Sequence, residues 1–235
     1  MMGASGAGKS TLALHALASG MQVLSEDSAF VAVDSLRVTG VPNFLHVQPS
    51  ALEFRTYRIF DCVVARIYDE MGRRDEARAK FEELAENDFA GVPFDEEWLA
   101  SICLLAETAA SLDDLPRAGV LSELLSPYAD RVGTSYPEIN VGAVARYLGL
   151  LSLVEARWDE AMQHFANALD VNRRIGARPW LGHTQEDYAR MLYTRGQAGD
   201  AEQARDLVES AVATYRELGM EFHAERAAAL ARAAS

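Results

Sequence analysis

The sequence predicts a mainly α-helical protein in which about four helix pairs stack on one another, preceded by a small truncated α/β segment. Three observations carry this expectation. From Phe54 onward the apolar residues recur with helical periodicity, and strand-like alternation vanishes. Within that region a short motif returns: Arg74-Asp75-Glu76-Ala77, Leu115-Pro116-Arg117-Ala118, Trp158-Asp159-Glu160-Ala161 and Ala201-Glu202-Gln203-Ala204, with its alanines spaced 41, 43 and 43 residues apart. Self-similarity at a fixed period of this size is the signature of stacked units. The first fifty residues differ: a glycine-rich loop is followed by one short helix and several short apolar runs. Two regions are therefore expected, 1–53 and 54–235.

The run Gly3-Ala4-Ser5-Gly6-Ala7-Gly8-Lys9-Ser10-Thr11 fits the phosphate-loop pattern G-x-x-x-x-G-K-[ST] at every specified position. Glycines there let backbone N–H groups turn inward around a polyphosphate, the lysine reaches the outer phosphates, and the hydroxyl ligates Mg²⁺. Gly3, Gly6, Ala7, Gly8, Lys9, Ser10 and Thr11 are the candidate nucleotide-binding residues, with ATP and Mg²⁺ as the expected ligands. Ser10 to Ser19 follows as a helix of good formers stopped by Gly20. Val23-Leu24 then forms a strand ending at Ser25-Glu26-Asp27-Ser28. Phe30 to Val33, Leu36 to Val38 and Phe44 to Val47 are further short strands, punctuated by Asp34-Ser35, Gly40 and Pro42-Asn43. Only Met1 and Met2 precede the loop, so the strand that normally feeds it is missing and the segment is expected to be partial.

Gly3 to Leu14, Gly20, Val23 to Asp27 and Gly40-Val41-Pro42 together resemble the nucleotide-binding part of HPr-kinase-like P-loop proteins. That resemblance implies phosphate contact by Lys9, Mg²⁺ ligation by Ser10, and Glu26 and Asp27 near the metal or an attacking group. Ser10 and Asp27 are accordingly the candidate metal residues. It also admits an ATP-dependent kinase or nucleotide switch as the alternative function.

In the second region small residues set the helix pairs. Ala65, Ala106 and Gly149 stand twelve positions before the first three motif alanines, where they let antiparallel helices approach closely. The expected pairs are 54–71 with 75–87, 95–111 with 115–131, 138–156 with 159–175, and 180–194 with 201–218. A last helix over 221–234 caps the stack. Gly72, Gly133, Gly176, Gly196 and Gly219 end or separate helices. Glu76 and Lys80 are spaced for an i,i+4 ion pair.

Residues 55–235, and above all Gly176 to Leu181, Asp187 to Leu192 and Tyr215 to Met220, resemble the tetratricopeptide-like repeats at the C-terminus of large bacterial ATP-dependent transcriptional regulators. The resemblance implies a superhelical platform for protein interaction or regulation, with no catalytic motif of its own. Its concave groove is lined by the first helix of each pair and suits an extended peptide or a partner helix. Arg66, Glu107, Arg146 and Asp187, all on first helices, are the candidate partner-groove residues.

Composition limits the alternatives. The net charge is -13, of which residues 1–50 contribute -1, so an acidic body repels phosphate backbones and no direct nucleic-acid partner is expected. No apolar run is long enough to span a membrane, and no secretory signal is present. Cys62 and Cys103 are too few for a disulfide framework and occupy equivalent positions in adjacent repeats, as small buried apolar residues would. A reducing cytoplasm is the expected compartment. The five histidines show no metal-ligand spacing, and no local Ser/His/Asp or Cys/His set points to catalysis.

Overall fold

The computed structural model describes residues 29–31, 38–40, 58–135 and 139–233. The chain divides into two compact units, Met1–Thr56 and Tyr57–Ser235. In the first, β1 (Ala29–Val31) pairs antiparallel with β2 (Val38–Gly40), placing Phe30 opposite Thr39. Both strands overlap runs expected to be extended.

The second unit is mainly helical. Its nine α-helices among the described residues are α1 (Arg58–Glu70), α2 (Arg74–Leu84), α3 (Trp98–Ser111), α4 (Leu115–Leu125), α5 (Val144–Val154), α6 (Trp158–Arg174), α7 (Arg178–Arg195), α8 (Asp200–Glu217) and α9 (Glu221–Ala233). Each packs on its neighbour in sequence, and the odd-numbered helices α1, α3 and α5 also pack side by side. The motif alanines Ala77, Ala118, Ala161 and Ala204 are fully buried at the crossings of α2, α4, α6 and α8 with their partners. Gly149 shows why a small residue is needed: a Cβ there would lie 2.9 Å from the Phe165 ring of α6.

The amphipathic pattern follows position. α2 buries only Ala77, Phe81 and Leu84, one residue per turn, whereas α3, covered by neighbours on several sides, buries ten of its fourteen residues. The apolar core is correspondingly partitioned: one cluster runs from α1 to α5, a second from α5 to α8, a small third gathers Ala143, Ala145, Ala168 and Val171 between α5 and α6, and a fourth joins α8 to α9. No helix is long and apolar enough to cross a membrane, among the described residues.

Four expectations need correction. Residues 132–135 and 139–143 are not helical: β3 (Val132–Ser135) and β4 (Ile139–Ala143) pair antiparallel with a register shift between Gly133 and Thr134. The third pair therefore begins at Val144 rather than 138. Gly142 is the reason, since its φ of +75° breaks helical geometry and a Cβ would lie 2.6 Å from Trp180 Cβ. Secondly, α4 ends at Leu125, where Ser126-Pro127-Tyr128 tightens into a 3₁₀ turn, not at 131. Thirdly, α3 starts at Trp98 rather than 95: Asp95 accepts from the Glu97 N–H at 3.0 Å in a turn before the helix, and upstream Asn87, Asp88 and Phe89 all take positive φ values. Fourthly, Lys80 pairs with Asp61 and Glu83, while Glu76 is taken by Arg73. The atypical Leu115-Pro116-Arg117-Ala118 motif opens its helix in a different way: Asp114 accepts from the Arg117 N–H at 3.2 Å and Pro116 occupies the first turn.

Candidate functional site

Position 66 lies on α1, 107 on α3, 146 on α5 and 187 on α7, and the fold brings all four together. Arg66 Nη2 stands 3.5 Å from Glu107 Oε1, and Arg146 Nη2 donates to that same oxygen at 2.7 Å. Arg146 Nε donates to Asp187 Oδ2 at 2.8 Å. Charges of alternating sign thus run across four helices. At one end Arg66 also bonds Asp69 and Glu70, and at the other Arg190 approaches Asp187 at 3.8 Å. An open groove was expected to expose these four residues, but Arg146 and Asp187 are 3% and 7% exposed. Their charges are spent on each other, which is what allows both to be buried.

The two carboxylates bonded to Arg146 differ electrostatically. Burial pushes the Glu107 carboxyl up, but Arg146 and Arg66 together outweigh burial and hold it well below the ordinary range. For Asp187 burial prevails over Arg146 and Arg190, with Glu107 and Glu186 adding repulsion, and its carboxyl is raised. Arg146 Nη1 has no hydrogen-bond partner among the described residues. The guanidinium instead lies 5.0 Å from the Tyr147 ring centroid and 5.8 Å from that of Trp180, faces that attract a cation.

This ladder forms part of the lining of a pocket of about 530 Å³. One wall comes from α1, α3 and the turn after α3, and includes Glu70 and Asp113. The opposite wall comes from α7 and α9 and includes Arg190 and Arg226, and between them α5 supplies Leu150, Leu153 and Val154, with Trp158 beside them. Arg226 also stands 3.6 Å from Glu70, so the last helix reaches the first and closes one edge.

Behind the α7–α9 wall sits a second polar cluster. Arg226 donates to both oxygens of Glu186 at 2.8 and 2.9 Å, and the Tyr215 hydroxyl lies 3.1 Å from Glu186 Oε2 and 3.0 Å from His183 Nδ1. Glu186 accepts from arginine on each oxygen, so Tyr215 donates to it, and His183 Nδ1 must carry the hydrogen that Tyr215 accepts. Burial, then Arg146, lowers His183 to about 3, which keeps the ring neutral. The cluster positions α9 and thereby Arg226.

Several supporting residues were missed in the sequence. Asn172, fully buried, accepts from Ala143 N–H at 3.0 Å and donates to Thr184 Oγ1 at 3.1 Å, fastening β4 to α6 and α7. The available signal was an Asn at a buried position of an otherwise amphipathic helix. Glu70, Arg190 and Arg226 were missed because nothing local distinguishes them from solvated surface charges. Trp180 and Tyr188 are packing residues: Tyr188 stacks on Phe165 at 5.6 Å, and Trp180 packs against the first core cluster. Cys62 and Cys103 are both free and fully buried. The loop residues Gly3, Gly6, Ala7, Gly8, Lys9, Ser10 and Thr11, and the acids Glu26 and Asp27, lie outside the described residues. Among the described residues no group of three or more His, Cys, Asp or Glu is placed to hold a metal ion.

Comparison with protein-family models, with curated proteins and with solved structures finds no match to this chain.

Proposed function

We propose that residues 58–233 act as a tetratricopeptide-like helical-repeat scaffold that binds a protein or peptide partner on the face formed by α1, α3, α5 and α7. One observation carries the reading: each of these four helices contributes a charged residue to one connected ladder lining one pocket. A ladder needed only for stability has no reason to border a cavity, and buried ion pairs are weak stabilisers. A regulatory or interaction role fits better than catalysis, since the carboxylates of the ladder are engaged by arginine rather than poised for proton transfer.

The test is comparative capture. Glu70→Lys with Arg190→Glu inverts both mouths of the pocket at the two ends of the ladder, where Glu70 meets Arg66 and Arg190 meets Asp187 and Glu186; circular dichroism and melting like those of the wild type verify that the double variant folds. The scaffold reading expects the partners retained by the wild-type protein to be lost, and a control reversal at the exposed Glu209 of α8 to keep them. An unchanged partner set in the double variant refutes it.

The sequence motif supports a second activity. Gly3 to Thr11 is proposed to bind Mg-ATP, through Lys9 at the phosphates and Ser10 at the metal, which admits the alternative of an ATP-dependent kinase or switch. Calorimetry expects saturable Mg-ATP binding that Lys9→Ala abolishes, and absence of heat with the wild-type chain removes the proposal.

A further inference from the structure

Three features of the pocket restrict what it holds. Its volume of about 530 Å³ falls in the range of small-ligand sites, ~300–1,000 Å³. That is too small to enclose a partner helix. Its charge is mixed: four arginines and five acids line it, which favours neither a polyanion nor a polycation. The charges most open to solvent are also sorted by wall. Glu70 (42% side-chain exposure) lies on the α1–α3 side, where the exposed Asp113 of the turn after α3 also lines the pocket, and Arg190 (48%) and Arg226 (32%) lie on the α7–α9 side. Between them the α5 floor is apolar, with Leu150, Leu153 and Val154.

We infer that this pocket binds a small zwitterion that carries an ammonium, a carboxylate and an apolar side chain, as in a free amino acid or a short unblocked peptide. The inference rests on the reading that this face is the binding surface, and it specifies the ligand. The carboxylate takes Arg190 and Arg226, the ammonium takes Glu70 and Asp113, and the apolar part covers α5. The Arg226–Glu70 pair at 3.6 Å is beyond hydrogen-bond distance and half-exposed, so it is weak, and a zwitterion replaces each half with an opposite charge of its own. A simple anion or cation engages one wall only, whereas a zwitterion engages both. Arg146, which also lines the pocket, is already bonded to Glu107 on one side and Asp187 on the other.

The test is calorimetric titration of the full chain with leucine, Leu-Leu and N-acetyl-Leu-Leu-amide. Binding of leucine or of Leu-Leu is expected, and which of them binds more tightly distinguishes amino acid from peptide. The doubly blocked peptide should bind at least about tenfold more weakly, the equivalent of one lost charged hydrogen bond. Arg190→Glu should weaken the free zwitterion by about tenfold or more, and Leu153→Trp, which fills the floor, should abolish binding. Both positions are partly exposed, and unchanged circular dichroism and melting verify that the variants fold. No heat from either free zwitterion, or equal binding of the blocked peptide, overturns the inference. If that occurs while the Glu70/Arg190 reversal still eliminates captured partners, the scaffold stands and only the ligand assignment fails.

Discussion

At the scale of single residues, Arg146 decides most. It is buried, bonded to two carboxylates from different helices, and backed by two aromatic faces. Removing one member of a buried ion network leaves the others uncompensated, so Arg146→Met should lower unfolding free energy by roughly 3–5 kcal/mol in chemical denaturation. Its two acids should respond unequally. Glu107, held below its ordinary range, stabilises the fold above the unfolded carboxylate pKa and loses that contribution as pH falls below it. Asp187, raised by burial, gains rather than loses stability on protonation. At pH 7 Glu107→Gln should therefore cost about 3 kcal/mol and Asp187→Asn about 1 kcal/mol. Equal losses contradict this assignment. His183 offers a separate test. Its native value of about 3 lies below the unfolded value of about 6.5, so the unfolded chain binds the extra proton between those limits and stability rises with pH across them. Urea midpoints measured from pH 4.5 to 7 should show this slope, and His183→Phe should reduce it.

At the scale of elements, the helices were legible where small residues recur on an apolar stripe. Ala77, Ala118, Ala161 and Ala204 located four crossings because a close approach demands a small side chain whatever surrounds it. Gly149→Ala tests this directly: its Cβ meets the Phe165 ring at 2.9 Å, and overpacking should cost about 1–3 kcal/mol by thermal melting. No change there would remove the packing argument. The β3–β4 pair was not legible, although Ile139, Val141 and Ala143 alternate with Asn140 and Gly142. Five residues of alternation that run straight into Val144–Val154 merge with a helical pattern, and only the positive φ of Gly142 separates them. The left-handed run at Asn87, Asp88 and Phe89 escaped for a similar reason, because Phe89 is held there by tertiary contact with Phe81 at 5.8 Å rather than by turn chemistry.

At the scale of the helical unit, the candidate site was half legible. Arg66, Glu107, Arg146 and Asp187 were locatable as polar residues on first helices, at separations of 41, 39 and 41 that track the repeat. That they bond one another, and that two are buried, depends on how the four helices pack. The same packing brings Arg226 of α9 to Glu70 of α1, a contact between residues 156 positions apart in sequence that no local pattern encodes. The central claim is that the pocket so formed is the binding surface. Its most direct test uses the burial of both native thiols, Cys62 being pushed up to about 12 by burial first and Asp61 second, so that an introduced cysteine labels selectively. Thr194→Cys in the pocket lining and Glu209→Cys on the exposed side of α8 would each carry a photo-crosslinker. The account predicts partner adducts from position 194 and none from 209; adducts of equal yield at both, or only at 209, would contradict it.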